Sequence, residues 1–509
     1  MMTSITLGEL LPTQYLPDSI ANLAVGDLRL DSRLIQKGDI FICIKGEAYI
    51  DAVIAAGASA ILIDSQWLPL KNTPSIPVIG VENLFENQAA IAARRYAISP
   101  SMSVMGVTGT NGKSTLVSLV AQLMTLAGHK KSATLGTLGY GIFQSTGDNT
   151  LTTTGMTTPD VFTNYRALSD FSRQHVNFVA MEVSSHGLSQ GRVNGLPITT
   201  AVFTNLTQDH LDYHGTFLAY AEAKKQLFTM PSVATVIVNA DDANADFIVK
   251  SVKNVQVLSY GLVKFADVQA KEIVAAANGT RFILTTPWGN AQIKSPLLGI
   301  FNIYNLLAAI TVVLKQGEPL QAVVDAIEYL QPVAGRMQQL PIVDGIKVIV
   351  DFAHTPDGLE QALLALRDHI VGRIWVVFGC GGDRDKQKRA LMGAIAEDLA
   401  DEVIITSDNP RTENPQVIIS DIAAGCKNSA YQIVDRQEAI AFAIEQAQAG
   451  DCILIAGKGH ETYQLIQDKA LPFCDVKIAT VLLQQKNAQQ KNTTEQYQSL
   501  DRPLLKEAK

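Results

Sequence analysis

The sequence predicts an α/β protein of three domains: a small N-terminal α/β domain, a central parallel-sheet domain and a C-terminal Rossmann-like α/β domain. Three observations predict it. Short apolar runs of strand length alternate with stretches of helical spacing along most of the chain, the pattern of a parallel sheet covered by helices. The 509 residues make room for about three domains at ~150 residues each. In the second and third blocks, nearly every apolar run ends in a polar or glycine cluster, and ligands of open parallel sheets bind beyond such strand ends.

The first block, residues 1–98, contains Ile40 to Ile44 and Ala60 to Ile63 as strand candidates, with the turn residue Gly57 between them. Pro100 and its polar neighbours mark a boundary. The second block, 99–335, opens with Val104 to Val107 and continues through Val176 to Met181, Ala201 to Phe203 and Thr235 to Val238. The third, 336–485, offers Lys347 to Val350, Ile374 to Phe378, Val403 to Thr406 and Cys452 to Ala456. From about Gln484 the chain is rich in Gln, Asn and Lys; residues 486–509 are expected to form a poorly ordered polar tail.

Composition narrows the function. The chain is 47% hydrophobic and 18% charged, an ordinary globular profile. No apolar run is long enough to span a membrane, and the N-terminus does not read as a signal peptide, so cytoplasmic residence without membrane contact is expected. The formal charge of -8 gives no support for nucleic-acid binding. Five cysteines stand far apart and form no CxxC pair; they are expected as reduced, mostly buried thiols.

One loop carries chemistry by itself. Gly109-Thr110-Asn111-Gly112-Lys113-Ser114-Thr115 joins the Val104 strand to a helix with apolar positions at Leu116, Val117, Val120, Leu123 and Met124 and with Gly128 at its end. Backbone N–H groups at such a junction surround phosphate oxygens. Lys113 supplies charge to the outer phosphates, and the Ser114 hydroxyl can ligate Mg²⁺. The strict motif asks for glycine at 107, where this chain has Val107. The plain alternative is a glycine turn before a helix.

The string 109–115 resembles the Mur ligase family, which extends the peptide of the cell-wall precursor. So do Met181 to Leu188, Thr204 to Asp212, Phe301 to Asn305 and Asp351 to Pro356. The resemblance runs from about residue 28 to about 480. It implies a ligase that phosphorylates a carboxylate with ATP and lets an amine attack the acyl phosphate. It points to the member that joins an amino acid to UDP-N-acetylmuramoyl-L-alanyl-D-glutamate, and Asp408-Asn409-Pro410-Arg411 resembles the version using meso-diaminopimelate. A monomer is expected.

The resemblance assigns residues. Lys113, Lys224 and His210 are implied as catalytic. Mg²⁺ is implied at Ser114, Glu182, His210 and Lys224, the last as a carbamate; without the family, Lys224 reads as a solvated helix lysine and His210 as structural. ATP is implied to meet Gly109, Thr110, Asn111, Gly112, Lys113, Ser114, Thr115, Asn302, Asn305, Arg336 and Asp351. Helix capping is the plain alternative for the two asparagines. Leu30 and Ser32 match a uridine-binding module at the N-terminus, and Thr157, Thr158, Ser184, Gln190 and Arg192 match further positions for the UDP substrate. The stretch after Gly46 is several residues shorter than in relatives. The incoming amino acid is implied to meet Arg384, Asp408, Asn409, Pro410, Arg411, Gly457 and Glu461, with Arg411 on a distal carboxylate and Glu461 on a distal ammonium. A plain turn is the alternative for Asp408 to Arg411.

Other functions stay open at this point. A lysine-adding Mur ligase and a folate polyglutamate synthase-like ligase share the phosphate loop. A nucleotide-binding switch would also use it, but has no need of Glu182, His210 and Lys224 together.

Overall fold

The computed structural model describes residues 5–44, 49–144, 150–276, 279–428 and 430–500, the last twelve as backbone only. The expected shortening after Gly46 falls on residues 45–48, outside the described residues. Among the described residues, no helix is long and apolar enough to cross a membrane. The fold is α/β, built on parallel sheets.

The chain forms two compact units. The first comprises Met1–Gln269, Thr285–Asn290 and Tyr304–Ala326; the second comprises Ala270–Leu284, Ala291–Ile303 and Ile327–Lys509.

Within the first unit, β1 (Leu28–Arg29), β2 (Ile40–Cys43), β3 (Ala60–Asp64) and β4 (Val78–Val81) form a parallel sheet in sequence order. A second sheet follows from β5 (Ser103–Thr108), β6 (Ser132–Gly136), β7 (Gly139–Ile142), β8 (Phe178–Glu182), β9 (Ile198–Phe203), β10 (Thr235–Asn239) and β11 (Gln256–Gly261). Its order is β11-β10-β9-β5-β8-β6-β7, parallel except for the β6–β7 hairpin. Strand β5 lies between β8 and β9, so the chain leaves it towards opposite sides, which makes its carboxyl end a topological switch point. Strands β12 (Val268–Ala276), β13 (Gly279–Thr286) and β14 (Gly289–Ser295) come next, with residues divided between the units.

Both sheets of the first unit belong to one body for a physical reason. Arg166, on the helix Val161–Arg173, lies 3.6 Å from Asp27. Asp27 also pairs with Arg29 at 2.8 Å and accepts from the Tyr96 hydroxyl. Enclosed charges persist only when paired, so this cluster ties the N-terminal segment to the central one.

In the second unit, β15 (Gln338–Gln339), β16 (Lys347–Asp351), β17 (Ile374–Phe378), β18 (Glu402–Ile405), β19 (Tyr431–Gln432) and β20 (Cys452–Ala456) make a sheet of order β15-β16-β20-β17-β18-β19. All neighbours are parallel except β15 with β16. Strands β21 (Tyr463–Ile466) and β22 (Lys469–Pro472) form a separate hairpin.

The strands expected from continuous apolar runs all form, within a residue or two at most boundaries. The alternating, polar-rich strands β12 to β14 escape that reading because half of each faces solvent. The last helix runs Asp475–Leu500. The five thiols are free, three of them buried.

Candidate active site

Three adjacent strand ends build the first part of the site. Beyond β5, Gly109 to Gly112 turn the chain into the helix Lys113–Leu126. Two glycines are required by contact. A Cβ on Gly109 would lie 1.8 Å from the Thr204 Oγ1, and Gly112 has φ +87° with the Asn305 Oδ1 only 2.5 Å from its Cβ position. Lys113 Nζ donates to the carbonyls of Gly109 and Thr110, both at 2.8 Å. Asn111 N–H donates to the Asn205 side chain and Thr110 N–H to the Asn205 carbonyl, so the end of β9 braces the loop. Ser114 is buried at the helix start.

Lys224 lies on the helix Phe217–Lys225 and is only 2% exposed. Its Nζ donates to the Gly109 carbonyl at 2.7 Å and sits 4.5 Å from the Tyr220 ring centroid. Burial, reinforced by Lys113, pushes its pKa well below the ordinary lysine range. Lys225, beside it, pairs with Glu222.

Glu182 ends β8 and is 2% exposed. Its two oxygens accept from the Thr137 N–H at 3.0 Å and the Thr137 hydroxyl at 3.1 Å. The Thr137 hydroxyl also meets Thr157 at 3.0 Å, and the Thr158 hydroxyl donates to the Glu182 carbonyl at 3.0 Å. Ser184 N–H donates to the Thr158 hydroxyl, while the Ser184 side chain caps the helix Ser185–Ser189. Arg192 donates to the Thr158 carbonyl at 2.7 Å and to Gln190. Thr157, Thr158, Ser184, Gln190 and Arg192 therefore form one hydrogen-bonded group around Glu182. Leu30 and Ser32 lie at the end of β1, Ser32 in a short 3₁₀ turn capped by Asp31.

His210 has left-handed backbone, φ 52°, and an exposed ring 3.5 Å from the Asp209 carboxylate. The His186 ring meets it edge-on at 4.8 Å, and Tyr213 and His214 complete an aromatic cluster. Burial and then His210 hold the His186 and His214 pKa values low.

In the second unit, the ends of β16, β20, β17 and β18 stand side by side. Asn409 donates to the Glu461 Oε2 at 2.9 Å, and the buried Lys458 donates to that oxygen at 2.9 Å and to the Asn409 Oδ1 at 3.0 Å. A Cβ on Gly457 would lie 2.7 Å from the Asp408 carboxylate. Arg411, with φ 51°, donates from NH1 to the carbonyls of Gly382 and Asn409. Pro410 follows Asn409 in the same loop, and Arg384 is exposed on the loop after β17. Arg389, fully buried, binds Glu413 and Asp421 and so staples the β17 loop to the β18 loop. Arg336 stacks 4.5 Å over Phe352, and burial pushes the Asp351 carboxyl up against the opposing effect of Arg336. Asn302 donates to the Leu298 carbonyl one helical turn earlier.

The Mur ligase middle domain model matches residues 107–313, and the Mur ligase glutamate ligase domain model matches 335–459. A relative from Chromobacterium violaceum, named UDP-N-acetylmuramoyl-L-alanyl-D-glutamate--2,6-diaminopimelate ligase, is 42% identical over 469 residues, covering 90% of this chain and 94% of its own length. This chain belongs to the Mur ligase family. A relative of the same name from Vibrio vulnificus is 40% identical, covering 95% of this chain and 99% of its own. A solved structure under that name superposes with TM-score 0.67 at 37% identity, over 95% of this chain and 99% of its own. The MurF ligase of Thermotoga maritima in complex with ADP shares the fold, with TM-score 0.65 at 16% identity over 91% of this chain and 98% of its own.

Within this Mur ligase, the sequence missed several side chains that hold the site. Thr137 sits at a short hairpin with no motif of its own. Lys458 lies inside a strand-end cluster that was legible, yet its total burial was not.

Proposed function

We propose that this chain is the ATP-dependent ligase that joins meso-diaminopimelate to the D-glutamate of UDP-N-acetylmuramoyl-L-alanyl-D-glutamate. The observation that carries the reading is the 42% identity, over 90% of the chain, with a relative named for that reaction. ATP phosphorylates the D-glutamate carboxylate, the amine attacks the acyl phosphate, and phosphate leaves with ADP as the other product. Phosphoryl transfer asks the protein for positioning and charge neutralisation above all.

In this reading the loop from Gly109 to Thr115 cradles the phosphates, with Asn302, Asn305, Arg336 and Asp351 as further ATP contacts. Lys113 steadies the phosphoryl group in transfer. Thr157, Thr158, Ser184, Gln190 and Arg192 hold the precursor, with Leu30 and Ser32 at its uridine end. Arg384, Asp408, Asn409, Pro410, Arg411, Gly457 and Glu461 receive the amino acid.

The donors fit Mg²⁺: the Glu182 carboxylate and the Ser114 hydroxyl are hard oxygens. Glu182 accepts hydrogen bonds from Thr137 and keeps lone pairs beyond them. Ser114, Glu182, His210 and a carbamate on Lys224 would hold it. Bound there, Mg²⁺ would neutralise phosphate charge. CO₂ adds to a neutral amine, and burial disfavours the charged form of Lys224, which supports the carbamate.

The division at 98, 335 and 485, a monomeric state and a cytoplasmic site belong to the same reading. The test offers ATP, Mg²⁺ and the UDP-sugar dipeptide with a panel of amino acids, and records phosphate release and product mass. Product that depends on meso-diaminopimelate is expected; equal or better turnover with L-lysine would move the assignment to the lysine-adding ligase.

A further inference from the structure

Lys458 is among the largest fully buried side chains of the described residues, at 0% exposure. A desolvated ammonium is costly unless good partners surround it. Its partners are two residues of the amino-acid site assigned above, Asn409 through Oδ1 and Glu461 through Oε2. Beyond these two, the ammonium lies 6.0 Å from the Tyr463 ring centroid.

The geometry fixes both partners. An ammonium only donates, so the Asn409 amide must turn its oxygen to Lys458. That oxygen also accepts from the Leu465 N–H at 2.8 Å, and the amide nitrogen is thereby aimed at Glu461. Glu461 Oε2 then accepts twice, and its Oε1 accepts no hydrogen bond among the described residues. The side chain of Glu461 is 21% exposed, so a ligand can reach it.

Charge follows from the same contacts. Asn409 carries two cations, Lys458 on its side-chain oxygen and Arg411 on its backbone oxygen at 3.4 Å. Asp408 and Glu461 are the carboxylates of the cluster; Glu461 pairs with Lys458 at 2.9 Å, and the charges of both are also felt by the buried Arg436. A ligand end bearing both an ammonium and a carboxylate preserves that balance. One ending in an ammonium alone meets a carboxylate already answered by Lys458 and brings no carboxylate to Arg411, whose NH1 donates to carbonyls.

Resting on the function proposed above, we propose that Lys458 is a specificity-determining positioning residue. It presents Glu461 through its free oxygen, and its buried charge excludes amino acids whose side chain ends in a lone ammonium.

The test measures kcat and KM of the full chain with meso-diaminopimelate and with L-lysine, at saturating ATP and UDP-sugar dipeptide. Lys458→Gln is expected to lower the ratio of the two kcat/KM values by about tenfold or more, within the range by which single polar groups discriminate substrates. The KM for ATP should stay put, and Lys458→Arg should restore much of the ratio. An unchanged ratio in Lys458→Gln, or an arginine variant no better than the glutamine one, overturns the proposal. Where Lys458→Gln does not fold, the wild-type chain decides: L-norleucine, which lacks the terminal charge, should inhibit at lower concentration than L-lysine. Equal or stronger inhibition by L-lysine overturns the proposal. If the wild-type chain makes no product from meso-diaminopimelate, the functional reading itself falls, and this inference with it.

Discussion

Lys113 and Lys224 donate to the same acceptor, the Gly109 carbonyl oxygen, at 2.8 and 2.7 Å. Two ammonium groups on one oxygen repel each other, which disfavours the charged form of the more buried one. Burial already disfavours the charged form of Lys224, and Lys113 adds to it. The loop from Gly109 to Ser114 therefore lies beside a lysine whose charged form is disfavoured.

That relationship predicts a trade between stability and activity. The folded-state pKa of Lys224 lies below its ordinary 10.5, so the unfolded chain binds more protons in the window beneath 10.5. Stability contributed by this group therefore rises with pH across that window. Lys224→Met removes the penalty and is expected to stabilise the fold by about 1–4 kcal/mol at neutral pH. It should also cut turnover by about 100-fold or more. Thermal unfolding and phosphate release check both; a less stable, fully active variant would contradict the account.

Thr137 anchors both oxygens of Glu182, one through its backbone N–H and one through its hydroxyl. Thr137→Val keeps the first bond and loses the second. Apparent Mg²⁺ affinity is expected to fall by about 10–100-fold, the usual cost of losing a partner that orients a metal ligand. Titration of Mg²⁺ against turnover reads the effect, and Glu182→Gln should be the more damaging change.

Gly109→Ala places a methyl group 1.8 Å from the Thr204 hydroxyl, closer than any real contact. The loop or β9 must shift, at a cost of about 1–3 kcal/mol for a strained insertion. Weaker ATP binding by calorimetry, with the rest of the fold intact by circular dichroism, is the expected result.

Arg411→Ala should reduce kcat/KM for meso-diaminopimelate by about 10²-fold or more and affect L-lysine far less, because only the first has a distal carboxylate to lose. The same panel of amino acids measures it. Unaffected turnover with meso-diaminopimelate would remove Arg411 from amino-acid selection.

Glu413 gives an acid-side prediction. Hydrogen bonds from Arg389 hold its carboxyl at about 2, below the ordinary 4.5. Its stabilisation is complete above pH 4.5 and is lost as pH falls towards 2. Glu413→Gln should flatten that part of the acid-unfolding curve; an unchanged curve would show that the pair adds nothing.

The sequence by itself determined the strands and their order of chemistry. Continuous apolar runs predict β5, β8, β9, β17 and β20 because strands covered on both faces tolerate few polar residues. The loop from Gly109 to Ser114 was legible because a tight glycine turn feeding a helix N-terminus restricts residue type at each position. Only the tertiary structure decided which strand ends meet. The order β9-β5-β8 brings residues as distant as Gly109, Glu182 and Asn205 to one edge, and β20-β17-β18 does the same for Gly457, Arg384 and Asn409. It also decided burial, and with it the lowered pKa of Lys224 and the hold of Lys458 on Glu461. A lysine in a sequence has the same letter whether solvated or enclosed; its chemistry depends on the surrounding dielectric and on its neighbours, which folding alone supplies.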